Sequence, residues 1–290
     1  MSGNAPTREG SQGGDPYALH TPTAVRALLA RHGLRPDKSL GQNFLVDQNT
    51  LLSVVSSAGI EPDDTVFEVG PGLGVLTRKL AMRARTVVPV EKDERLRPVL
   101  AQTTGEFQNV RLQFGDALRF PLETLPQGSL LVANLPYNVA TTLLVDALQS
   151  GRFRRLVAMV QREVAQRLSA GPDEEAYGAL SLIANHFSSP RIVRLVAPGN
   201  FFPAPEVTSA IIRLDVRPDA RPSEALFTLV KDAFRHRRKT LVNNLQSAGW
   251  KRPQLEEALE ALGLDRRIRA ESLNLETFEK LLEALSASDI

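Results

Sequence analysis

The chain contains no cysteine. That excludes disulfides, thiolate zinc sites and cysteine nucleophiles, and it fits a reducing compartment. Histidine is scarce too. His20, His32, His186 and His236 are scattered without metal-ligand spacing, so no metal is expected. No apolar run approaches the roughly 20 residues that span a membrane. The polar, glycine-rich opening MSGNAPTREGSQGGDP lacks the apolar stretch of a signal peptide. The expectation is a soluble, cytoplasmic monomer with a disordered tail over residues 1–16.

What is present suits a globular protein. A length of 290 residues with 42% hydrophobic content allows one large domain and a small one. The net charge is only +2, but it is unevenly spread. From Lys231 to Arg252 seven Lys or Arg face one acid, Asp232; from Pro253 onward four basic residues face nine acids. Such separation can focus a positive field on one face, although basic blocks are also ordinary solvated surface.

After the tail, HTPTAVRALLARHGL predicts a helix capped by Thr21 and closed by Gly33. A second helix is predicted over about 49–58. Strand-like and helix-like segments then alternate. Strands are predicted at 64–70, 85–91, 110–114, 129–135 and 155–161, and helices at 74–84, from about 94, at 138–149 and after 161. The strands are aliphatic runs, as expected when helices cover both faces, so the order implies βαβ units and a mostly parallel sheet. Pro89 predicts a local irregularity in the second of these strands. Segments 191–197 and 209–216 read as two closing antiparallel strands joined by a short link. From Pro222 onward only helical spacing remains, in 223–249, 253–263 and 274–286. The reading is an α/β domain over 17–218 and an all-α domain over 219–290.

FEVGPGLG places Gly70, Gly72 and Gly74 at the exit of the first sheet strand, where backbone can approach a ligand closely. The spacing is not the G-x-G-x-x-G of dinucleotide sites, and no Lys-Ser or Lys-Thr follows to read phosphate. Glu91 ends the next strand, where a carboxylate can accept from both hydroxyls of a ribose. Asp116 ends the third and could accept from an adenine amine. Each acid alone could be a helix cap; together the three strand ends look like an S-adenosylmethionine site.

In LLVANLPYNVATTLL a core strand stops at Asn134. If the nucleophile is the exocyclic amine of a base, its lone pair is delocalised and acceptors must hold it in line. The side-chain oxygen of Asn134 and the carbonyl of Leu135 could be those acceptors. Pro136 would fix the turn and Tyr137 would stack on the base. The plain alternative is a Pro turn followed by a helix capped by Asn138.

Read together, GQNFLVD, EVGPGLG, VEKD, GDAL, NLPYN, QREVAQRL, AYGALSL, FFPAPEVTSA and AFRHRRKTLVNNL resemble, in order, the ribosomal-RNA adenine dimethyltransferase family. The resemblance runs from about Leu40 to Leu245. It implies a Rossmann-like class I methyltransferase with a small helical C-terminal domain, placing two methyls on N6 of adenines in a small-subunit (16S) rRNA hairpin loop during ribosome biogenesis. By that resemblance Asn43, Leu45, Gly70, Gly72, Glu91, Asp116 and Asn134 would bind S-adenosylmethionine. Phe201 would face Tyr137 across the target adenine. Arg235, Arg237, Arg238 and Lys239 would belong to an RNA-binding face. The partner implied is small-subunit rRNA in immature subunits. Two other readings are a non-catalytic RNA-binding assembly or transcription factor on the same fold and a DNA adenine methyltransferase. The extension before residue 38 has no role in the motif set.

Overall fold

The computed structural model describes residues 19–287; the predicted tail lies outside them. Helix α1 (Pro22–Arg31) begins at Thr21, whose hydroxyl accepts from the amide of Ala24, and is followed by strand β1 (Phe44–Leu45). Helix α2 (Gln48–Ala58) is capped by Asp47 and ends at Gly59 in the left-handed region. Alternation then produces β2 (Thr65–Val69), α3 (Val75–Ala81), β3 (Thr86–Glu91), α4 (Arg97–Thr104), β4 (Gln113–Phe114), β5 (Ser129–Asn134), α5 (Ala140–Gln149), β6 (Phe153–Gln161) and α6 (Arg162–Ser169). Helix α7 (Ala179–Phe187) was not anticipated in the sequence; it leads into β7 (Ser188–Val196), β8 (Phe201–Phe202) and β9 (Ser209–Val216).

Seven strands form one sheet in the order β4-β3-β2-β5-β6-β9-β7. The first five are parallel, and β9 runs antiparallel to both β6 and β7. The two closing strands are thus antiparallel as expected, but their link is long and contains β8. That short strand leaves the sheet to pair with β1, Phe44 against Phe202 and Leu45 against Phe201.

Alternate residues of the central strands bury on opposite faces. Phe67, Val69, Leu131 and Ala133 join one core with α5 and α7, while Val66, Leu130 and Val132 join another with α2 and α3. Both faces being covered is why the strands read as unbroken aliphatic runs. A smaller cluster packs α1 (Val25, Leu28, Leu29) against Phe44, Leu73 and α4.

Pro89 does not disturb the β2–β3 register, where it sits opposite Glu68. The irregularity falls on the other side. Val87, two residues earlier and pointing the same way, donates to Asn109 toward β4. The proline nitrogen therefore faces β4 with nothing to donate. The outer ladder breaks there, into an isolated bridge at Val87–Val110 and a two-residue strand at Gln113–Phe114.

The C-terminal part is helical: α8 (Glu224–Ala233), α9 (Leu241–Ser247), α10 (Arg252–Ala261) and α11 (Leu275–Ala287). The helical spacing over 223–249 is not one helix. It breaks at 234–240, where buried Asn244 accepts from the amide of His236 and donates to its carbonyl, clamping a turn. The core of these helices also takes in Ala170, Tyr177 and Leu182 from before residue 219, and the Tyr177 hydroxyl donates to the carbonyl of Leu273. Among the described residues no helix is long and apolar enough to cross a membrane.

Candidate active site

The carboxyl ends of β2, β3, β4 and β5 open into one cavity. It brings together Asn43, Leu45, Gly70, Gly72, Glu91, Asp116, Asn134, Leu135, Pro136 and Tyr137. Gly70, Gly72 and Gly74 all adopt positive φ, between +58° and +80°. At Gly72 an added Cβ would stand 3.2 Å from the Phe44 ring, and at Gly74 it would meet Thr103 and Thr104 at 2.7 and 2.8 Å. Only glycine makes this turn so close to β1 and α4.

Glu91 is buried and held from both sides. Its Oε2 accepts from the amide of Gly72 at 3.0 Å and its Oε1 from that of Asp93 at 2.8 Å. Burial nevertheless raises its pKa. Each oxygen keeps a second lone pair, so a diol remains recognisable. Asp116 is more exposed: Oδ1 caps the turn at Leu118 and Oδ2 accepts from Lys92 Nζ at 2.9 Å, which holds the carboxyl below its ordinary range.

Asn134 is oriented by the loop before the sheet. Its Nδ2 donates to the carbonyl of Asn43 at 3.0 Å, so its acceptor oxygen is the atom left for the cavity. The amide of Leu135 donates to Met159, while its own carbonyl meets no donor among the described residues. The two acceptors proposed for an amine thus stand on consecutive residues. The Tyr137 hydroxyl lies 2.6 Å from that of Ser209, at the start of β9, and burial raises the phenol's pKa.

Other predicted residues lie elsewhere. Phe201 is 3% exposed, packs with Leu45, Met159 and Ile211, and lines no part of the cavity. No ring contact joins it to Tyr137 among the described residues; its neighbour Phe202 instead lies under the Arg26 guanidinium at 4.7 Å. Arg235, Arg237, Arg238 and Lys239 sit together on the exposed turn between α8 and α9, away from the cavity. Arg235 donates to the carbonyl of Ser247 and Arg237 to that of Glu175. Arg238 and Lys239 have no side-chain partner among the described residues.

Sequence reasoning assigned nothing to several residues that shape the site. Glu68 lies fully buried against the cavity beside Thr77, and its Oε2 has no hydrogen-bond partner among the described residues. Burial pushes its pKa up to about 8, with the nearby charge of Glu91 adding to the rise. Gln42 donates to Asp93 at 2.8 Å, and Arg95 bridges Asp93 and Asp37, pinning the 37–45 segment to the end of β3. Gln42 and Asp93 lie within GQNFLVD and VEKD, but neither segment signals its partner, and Asp37 and Arg95 fall outside both. Among the described residues no cluster of three acidic or histidine side chains could hold a metal.

A doubly wound sheet in this strand order, with a glycine turn after its first strand and acids at the ends of the next two, defines a class I S-adenosylmethionine-dependent methyltransferase. The chain belongs to the ribosomal RNA adenine dimethylase family, whose pattern matches residues 33–286. It is 46% identical over 272 residues to Ribosomal RNA small subunit methyltransferase A of Deinococcus radiodurans, covering 93% of each chain. The enzyme of the same description from Ligilactobacillus salivarius is 44% identical over 283 residues, with 92% of this chain and 96% of that one covered. Among solved structures, a dimethyladenosine transferase from Plasmodium falciparum superposes with a TM-score of 0.75 at 25% identity, covering 85% of this chain and 98% of that one. The 23S rRNA methyltransferase ErmE follows at 0.68 and 27%, covering 84% and 100%.

Proposed function

We propose that the protein dimethylates N6 of two adjacent adenines in a hairpin loop of small-subunit rRNA, within immature subunits, as a cytoplasmic monomer. The observation that carries this reading is the pairing of Asn134 with Asn43. It commits the amide nitrogen to the protein and leaves the oxygen, beside the Leu135 carbonyl, to accept from an amine. The names of the relatives describe methyltransferases and give the non-catalytic alternative no support.

The residues present fit S-adenosylmethionine: a backbone cradle that only glycine can form, a fixed carboxylate at Glu91, and an acceptor at Asp116. When bound, it supplies an electrophilic methyl group on a sulfonium. Glu91 would hold the ribose hydroxyls and Asp116 the adenine amine, with Asn43, Leu45, Gly70 and Gly72 closing the walls. Asn134 Oδ1 and the Leu135 carbonyl would accept the two hydrogens of the target amine and favour its tetrahedral form. The nitrogen becomes acidic only once it carries the methyl, so its proton can pass to water afterwards. Each adenine takes two methyls, one per donor molecule. Tyr137 would stack on the extruded base, and Ser209 fixes the ring's tilt. Phe201, paired with Leu45 and buried in the core, would come opposite Tyr137 only if β8 itself moved. We read residues 17–218 as the catalytic domain and 219–290 as a helical domain presenting Arg235, Arg237, Arg238 and Lys239 to RNA.

The test is to incubate purified protein with immature small subunits and labelled donor. N6,N6-dimethyladenosine at two neighbouring positions is expected. Donor binding without any dimethyladenosine would overturn the reading.

A further inference from the structure

A second recess lies where the end of β6 meets the start of β9, with no lining residue in common with the cavity. It is lined by Gln161, Arg162, Glu163, Gln166, Val207 and Thr208. The sheet places it there. Gln161 ends β6 and pairs with Ser209 at the start of β9, and the amide of Arg162 donates to the carbonyl of Thr208 at 3.0 Å. Ser209 links the two: its hydroxyl meets that of Tyr137, which lines the cavity, and the preceding Thr208 lines the recess. A strand of RNA whose base sits against Tyr137 can therefore reach this recess with its neighbouring nucleotide.

The Arg162, Glu163 and Gln166 side chains of the lining are exposed and free to meet a nucleotide. Among the described residues, no hydrogen bond or ion pair engages the side chains of Gln161, Arg162, Glu163 or Gln166. Val207 is one of the few large apolar side chains left exposed. Single-stranded RNA is recognised by bases splayed onto apolar or planar groups and read along their edges. Glutamine can pair with both N6 and N7 of adenine, a carboxylate accepts from an amino group, and arginine takes phosphate. Uracil offers no amino group to Glu163, whereas adenine does.

We propose that this recess binds the nucleotide next to the target adenine, with Val207 against its base, Glu163 and Gln166 reading an amino-bearing edge, and Arg162 on its phosphate. The proposal rests on the reading that the cavity methylates RNA. It supplies what that reading lacks: a means of choosing an adenine by the identity of its neighbour.

The experiment compares wild type with Arg162→Ala and with the double variant Glu163→Leu/Gln166→Leu. All three side chains are exposed, so melting temperature should stay unchanged. On immature small subunits, Arg162→Ala is expected to raise KM for the subunit roughly tenfold, with kcat within about twofold and donor affinity unchanged. Replacing the neighbouring adenine by uridine should slow methylation of the remaining adenine by roughly tenfold in wild type, the scale of one good base contact, and should leave that rate unchanged in the double variant. Binding of a labelled hairpin RNA without donor gives a second readout and should weaken in parallel. Wild-type KM, base preference and RNA binding in both variants would overturn the recess while leaving the methyltransferase reading intact. An inactive wild type whose RNA binding still falls on Arg162→Ala would sink the methyltransferase reading and leave the recess standing.

Discussion

Asn134 and Asn43 are 91 positions apart in the chain, yet the side chain of one is oriented by the backbone of the other across 3.0 Å. The tie sets which end of the Asn134 amide faces the cavity. The loop before the sheet thus orients a side chain of the cavity as well as lining it.

Asn134→Ala should lower kcat by about 10²- to 10³-fold, the usual cost of removing one charge-stabilising group from an active site. Donor affinity should fall far less. Asn134→Asp is the sharper probe. It keeps the acceptor but sets an oxygen against the Asn43 carbonyl, so the loop should loosen and donor binding should weaken more than in the alanine variant. Equilibrium dialysis and single-turnover rates separate the two effects.

Glu68 carries a pH signature. Its pKa is about 8 in the folded chain and near 4.5 when exposed, so the folded state holds the extra proton. Its contribution to stability is complete below the unfolded pKa and is lost as pH rises toward 8. Wild type should therefore lose melting temperature between pH 5 and about 8 relative to Glu68→Gln, which cannot titrate. Parallel curves for the two proteins would show that Glu68 is not protonated at neutral pH.

Lys92 and Asp116 separate a supporting role from a binding one. The Lys92 ammonium is mostly exposed, so Lys92→Ala should raise the Kd for donor by no more than about fivefold. Asp116→Ala removes a charged acceptor and should cost about tenfold or more. Calorimetric titration at low and high salt measures both, and only the lysine effect should shrink with salt.

Arg238 and Lys239 test the RNA face on the helical part. With no partner in the protein to lose, the double alanine variant should melt as wild type does. Its RNA affinity should fall, and the slope of log K against log salt should flatten by roughly 1.5 if each side chain neutralises a phosphate.

The cavity's frame was readable because it is local. Gly70, Glu91 and Asn134 each end an aliphatic run, Asp116 follows a short strand, and the βαβ rhythm lines those ends up on one edge. What escaped was non-local. The two-residue ladder of β1 with β8 has no pattern of its own, so the burial of Phe201 beneath it could not be read from FFPAPEV. Helical spacing over 223–249 hid a break, because the turn depends on Asn244 reaching back to His236. The burial of Glu68 within FEVGPGLG, and the Glu91 charge beside it, are not written in sequence. Pro89 was legible as a defect, but its side was set by strand direction.

That defect fixes where the sheet is weakest. With no N–H at residue 89 to carry the outer ladder, the strand bearing Gly115 and Asp116 hangs on its last two pairings and an isolated bridge. Its amides should exchange with solvent deuterium well before those of β2 and β5. The carboxylate proposed to recognise the donor's adenine thus stands on the part of the sheet that opens first, and a bound donor should slow exchange there more than anywhere else in the parallel sheet.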